Sequence, residues 1–170
     1  MGASRFIARG GILTAIGVLL LYLSTISPTS KVYILGAASC LIPISVLLTN
    51  MKNSFIVYIA TSLISFLMLG FKGSVIAYII FFGLYGFIKY YIERFRNIPL
   101  EIILKLLYFN ISIGIIFYLY KLFFAGLLKI NLPIYQVVIM LQFVFIIFDY
   151  AITLFIDYIS KHFNKFINNK

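Results

Sequence analysis

An all-α, polytopic membrane protein, a bundle of about six transmembrane helices, is the fold this sequence predicts. The first reason is composition: 64% of the 170 residues are hydrophobic and 11% are charged. A soluble domain covers itself with roughly a quarter charged residues. This chain lacks that cover, so it must show apolar surface to lipid. The same composition excludes a disordered chain, which cannot be this apolar. The second reason is that the apolar residues fall into six runs, each near the ~20 residues a helix needs to cross the hydrocarbon core. The third is that Pro, Gly, Asn or charge punctuates every gap between the runs.

The first run spans Gly10 to Ile26 and stops at Ser27-Pro28-Thr29-Ser30. The second spans Val32 to Thr49, with Pro43 inside it, and Asn50-Met51-Lys52-Asn53 breaks it. The third spans Ser54 to Leu69 and ends at the turn Gly70-Phe71-Lys72-Gly73. The fourth spans Ser74 to Tyr91, and Glu93 to Asn97 with Pro99 terminates it. The fifth starts near Glu101 and reaches about Tyr120; the sixth spans Ile134 to about Ile159 and leads into a polar tail. Between the last two, Lys121 to Ile130 reads as a short interfacial helix or as a continuation of helix five. No linker, repeat or low-complexity tract divides the chain, so a single membrane domain, 1–170, is the simplest organisation.

The net charge of +10 does not signal nucleic acid. Lys and Arg stand singly at run ends and build no basic face. They read as topology signals and contacts to anionic lipid. With six spans, one side carries Arg5, Arg9, Lys52, Lys89, Arg94, Arg96, Lys161, Lys165 and Lys170, joined by Lys105. The other carries Lys31, Lys72, Lys121 and Lys129. The excess of positive charge predicts a cell-membrane protein with both termini cytoplasmic. The first run follows Arg5 and Arg9 as a signal peptide would, but its Ser-Thr-Ile-Ser end is a poor cleavage site, so it is expected to stay. The only cysteine, Cys40, excludes an intrachain disulfide.

Asp149 is the most informative residue. It lies deep in the sixth run, where a carboxylate must be paired, hydrated or protonated. Gln142, Asp149 and Thr153 share one helical face, so this stripe should face the bundle with its polar groups bonded. Asn110 and Ser112 are its candidate partners, and no basic residue is expected at the same depth. Two readings stay open: a ligand or ion-coupling site, or a hydrogen-bond clamp between helices. Glu101 and Lys105 have the spacing of an i,i+4 ion pair. Asp157 and His162 read as solvated or interfacial. Tyr33, near an outer end with Tyr22 and Tyr118, is either an interfacial anchor or a surface for a ring to stack on. On the first helix Ala8, Gly11 and Ala15 form a small-residue face, with Gly10, Thr14 and Gly17 beside it. Small residues let a second helix approach closely in lipid. Gly83 and Gly86, and Gly36 to Ala38, suit packing inside the chain.

No HExxH, GxSxG or P-loop is present, and no paired intramembrane carboxylates. An enzyme is not expected, nor a cofactor. ATP would act only through a partner. The small-residue stretch Gly11-Ile12-Leu13-Thr14-Ala15, the length and the six-helix pattern resemble the S components of energy-coupling factor transporters, bacterial substrate-capture subunits. That resemblance implies a vitamin-like small-molecule ligand, with Gln142, Asp149, Asn110 and Tyr33 as its contacts. It also implies docking of a transmembrane coupling subunit and its ATPases through Ala8, Gly11 and Ala15. Gly stands where that family's motif has its first Ala, and the metal-type members' His-rich N-terminal segment is not present. The same architecture also fits uncharacterised bacterial six-helix families. The alternative function is a non-transporting membrane scaffold or assembly factor, which needs no cavity. A proton-coupled carrier built on Asp149 is a weaker reading, because no inverted repeat or broken helix pair is visible.

Overall fold

A computed structural model describes residues 2–95, 97–123 and 134–168. Among them six helices follow one another without a strand: α1 Gly2–Ile26, α2 Lys31–Leu48, α3 Met51–Leu69, α4 Gly73–Glu93, α5 Ile98–Phe123 and α6 Ile134–Asn168. Each contains a stretch long and apolar enough to cross a bilayer. The chain is an all-α, multi-pass membrane protein. The segment Lys121 to Ile130 falls, beyond Phe123, outside the described residues.

Several helices outrun the apolar runs that announce them. The first begins at Gly2 and the sixth continues past Ile159 to Asn168. A helix bonds its own backbone, so nothing forces it to stop where the hydrocarbon ends. The expected break at Asn50–Asn53 is shorter than its composition suggests. Thr49 and Asn50 alone separate α2 from α3, and Asn50 caps α3 by accepting a hydrogen bond from Asn53 N. Pro99 sits in the first turn of α5, where its missing N–H costs nothing.

Contacts divide the chain into two compact units, Met1–Tyr91 and Ile92–Lys170. In the first, glycines bring helices together. Gly10 and Gly17 of α1 are buried against α3: a Cβ at Gly17 would lie 2.9 Å from Thr61 Cγ2. On α4 a Cβ at Gly86 would lie 3.0 Å from Pro43 Cδ, and one at Gly83 would lie 2.7 Å from the Tyr58 ring. Close backbone approach of this kind is how helices associate in lipid. Pro43 removes one rung of the α2 ladder but is buried in protein, where membrane helices tolerate it. Polar side chains tie the helix ends at one end of the unit. Arg9 Nη1 donates to the Leu48 carbonyl at the end of α2, and Asn53 Nδ2 donates to the Phe6 carbonyl. Deeper between the helices, Ser54 Oγ donates to Ser45 Oγ at 2.9 Å, joining α3 to α2.

The most buried helix is α4, and it is not uniform. Residues Tyr78–Phe82 form a π-helical turn. Such a turn widens the backbone ladder, and Tyr58 Oη donates to the Ile79 carbonyl there at 2.7 Å.

The second unit packs differently. Lys105, Phe109 and Ser112 form the buried face of α5, and Phe145 and Ile152 are buried on α6. Phe109 stacks on Phe145 with centroids 4.3 Å apart and planes within 16°. Gly114 meets nothing within 4 Å. Long side chains, not glycines, join these two helices. Their other faces, with Ile103, Leu107 and Ile111 on α5 and Ile139, Phe143 and Ile147 on α6, are exposed apolar surface. In a bilayer that surface meets acyl chains.

Candidate functional site

The second unit builds an ionic cluster at the depth of its aromatic contact. Lys105 lies two turns into α5, one turn before Phe109, so both side chains leave the same face. Asp149 lies one turn after Phe145 on α6. Helices α5 and α6 run antiparallel there, so the register that stacks Phe109 on Phe145 also brings Lys105 to Asp149. Lys105 Nζ is 3.1 Å from Asp149 Oδ2 and 2.9 Å from Glu93 Oε1, at the end of α4. The lysine side chain is 8% exposed, Asp149 22% and Glu93 38%. Thr153 Oγ1 donates to the Asp149 carbonyl one turn back, which keeps the polar stripe of α6 on one side.

This geometry corrects two sequence expectations. Lys105 does not pair with Glu101; among the described residues its ammonium is taken by Glu93 and Asp149. A basic residue does therefore lie level with Asp149. Depth counted along one helix misses it, because the partner approaches from a neighbouring helix.

The remaining candidates are distributed over both units. Gln142 is half-buried, two turns before Asp149 on the same face of α6. Asn110 is exposed and spends its amide on the Leu106 carbonyl of its own helix, at 2.8 Å. Ser112 is buried in the α5 face, one position pattern beyond Phe109, at the level of Gln142. Tyr33 is 82% exposed and belongs to the first unit. Ala8, Gly11 and Ala15 are all exposed, and Gly11 meets nothing within 4 Å. Internal packing of α1 uses the adjacent face, Gly10 and Gly17. Asp157 is exposed, in keeping with a solvated role.

In sequence, Glu93 and Lys89 read only as charges at a span end. Glu93 belongs to the cluster, and Lys89, one turn earlier on α4, is 1% exposed. Their i,i+4 spacing at the end of the fourth run is the available signal. Chemically the cluster offers one buried ammonium shared by two partly exposed carboxylates. No group of three His, Cys, Asp or Glu suited to a metal occurs among the described residues. Compared with protein-family models, with curated proteins and with solved structures, the chain finds no match.

Proposed function

We propose that the chain is a small-molecule-binding membrane subunit of a transporter energised by a separate ATPase, with Glu93, Lys105 and Asp149 as its polar centre. The observation that carries this reading is the Lys105 ammonium held between two carboxylates inside apolar helices. Ionisable groups at such depth are expensive and mark solute or ion pathways. A polar solute that takes the place of one of the two contacts must itself offer the displaced carboxylate a cation or a hydrogen-bond donor. The exposed Ala8, Gly11 and Ala15 face supports docking of a coupling subunit, as the likeness to energy-coupling factor S components implies.

The test uses the tagged chain purified in mild detergent from its native membrane. A transmembrane subunit and an ATPase should co-purify, and native mass spectrometry should find a retained small molecule. Asp149→Asn should release the molecule and leave the ATPase attached. Gly11→Leu should do the reverse, because open space around Gly11 lets the chain itself accommodate the larger side chain. A monodisperse chain with neither partner nor ligand would sink the transport reading.

A scaffold is the second reading, and one observation favours it. The polar groups offered as ligand contacts are already engaged within the chain: Asp149 by Lys105 and Asn110 by its own backbone. As a scaffold the chain would use the same ion cluster as a clamp and Asp149→Asn would leave all partners bound.

In either role the charge asymmetry supports a cell-membrane protein with both termini cytoplasmic. With Cys40→Ser as background, a cysteine introduced at Ser30 should react with an impermeant maleimide in intact cells, and one at Asn97 should be protected. The opposite pattern would invert the orientation.

A further inference from the structure

We propose that the first unit carries a binding groove for one anionic phospholipid, with its acyl chain between α3 and α4 and its phosphate at Lys52. A groove of about 400 Å³, open along one side, is lined by Met51, Lys52 and Phe55 of α3 and Leu84, Phe87 and Tyr91 of α4. The start of α3 lies beside the end of α4, so the lining is graded. Lys52 and Tyr91 stand at the helix ends, where a bilayer's polar interface begins. Phe55, Phe87 and Leu84 lie deeper, with the Phe55 and Phe87 rings edge to face at 5.8 Å. From Leu84 to Tyr91 the apolar wall rises about 10 Å at the helical 1.5 Å per residue. A polar mouth over an apolar wall suits an amphiphile.

The charge at the mouth specifies an anion. The first unit contains no carboxylate: Glu93, Glu101, Asp149 and Asp157 all belong to Ile92–Lys170. The acid nearest in sequence to the groove, Glu93, is bonded to Lys105. Arg9 spends its guanidinium on the Leu48 carbonyl, and Lys52 is exposed without an ion pair among the described residues. Lys52 also stands in the first turn of α3. There Asn53 N is bonded to Asn50 Oδ1 and Ser54 N to the Asn50 carbonyl. The N–H groups of Met51 and Lys52 belong to the set a helix start leaves free, and they favour an anion. A lipid phosphate supplies the charge and its tail covers the aromatic wall, so a single ligand answers both halves of the groove.

The chain contains no tryptophan, which makes the test direct. Phe55→Trp places a single tryptophan, excited selectively over the tyrosines, on the groove wall, and Leu67→Trp places one on an exposed position far along α3. Each full-length variant is reconstituted in phosphatidylcholine containing either brominated phosphatidylglycerol or brominated phosphatidylcholine. In Phe55→Trp the brominated phosphatidylglycerol should quench with about a fivefold binding preference, the size expected of one lysine at a lipid surface. Lys52→Gln should abolish the preference. Leu67→Trp should be quenched equally by both lipids. Native mass spectrometry of the unaltered chain and of Lys52→Gln, delipidated and mixed with phosphatidylglycerol, gives a readout independent of the tryptophan substitution. Equal quenching by the two lipids at Phe55→Trp, or a bound-lipid count unchanged by Lys52→Gln, would overturn the proposal.

Discussion

Lys105→Met should destabilise the chain by about 3 kcal/mol, the lower end of the cost of stranding buried charge. The substitution keeps the length and apolar stem of the side chain and removes only the ammonium. It leaves Asp149, 22% exposed, and Glu93, 38% exposed, without the cation that faces them both. Glu93 is partly screened by its exposure, so Asp149 should carry most of the loss. Thermal denaturation in detergent would read it as a lowered midpoint. The combination Lys105→Met, Glu93→Gln and Asp149→Asn should recover part of the loss, since neither carboxylate is then left charged opposite the missing ammonium. Full stability of the single variant would mean that the ion cluster neither clamps the second unit nor is desolvated there.

That cluster marks where sequence reading stopped. Asp149 was legible as a buried carboxylate needing partners, because lipid cannot satisfy it and Gln142 and Thr153 put a polar stripe beside it. Its partner was not legible. Charges at run ends look alike in sequence, whether they are solvated, as Lys52 is, or buried, as Lys89 and Lys105 are. Which of these a lysine becomes depends on the register between helices, here fixed by Phe109 on Phe145, and no spacing within one helix encodes that register. The six spans were legible because hydropathy over ~20 residues is a property of one segment. The small residues of α1 fell between these cases. Two adjacent faces, Ala8–Gly11–Ala15 and Gly10–Gly17, carry similar composition, and the structure packs the second against Asn53, Val57 and Thr61. The π-helical turn in α4 left no mark in sequence beyond an aromatic run and two glycines. Tyr58, on another helix, donates a hydrogen bond into it.

Gly83→Ala should cost about 2–4 kcal/mol, combining overpacking with a lost hydrogen bond to a buried carbonyl. An added Cβ would lie 2.7 Å from two carbons of the Tyr58 ring and 3.1 Å from the Tyr78 carbonyl. The ring is not free to retreat. Its hydroxyl donates to the Ile79 carbonyl at 2.7 Å, and its faces meet Tyr78, Phe55 and Phe87 at centroid distances near 6 Å. Displacing it breaks the bond that serves the π-helical turn, so the steric and polar costs fall together. Gly114→Ala is the control: nothing lies within 4 Å of that glycine, and the substitution should be close to neutral. The mechanism makes a sharper demand through Tyr58→Phe, which should itself cost about 1 kcal/mol for the missing hydrogen bond. With the hydroxyl gone the ring is released to shift, so Gly83→Ala should cost less in the Tyr58→Phe background than alone. The coupling in this double-mutant cycle should reach about 1 kcal/mol, measured from denaturation midpoints in detergent. Strictly additive costs would show that the ring is held by packing alone and that the Tyr58 to Ile79 bond does not fix the approach of α3 to α4.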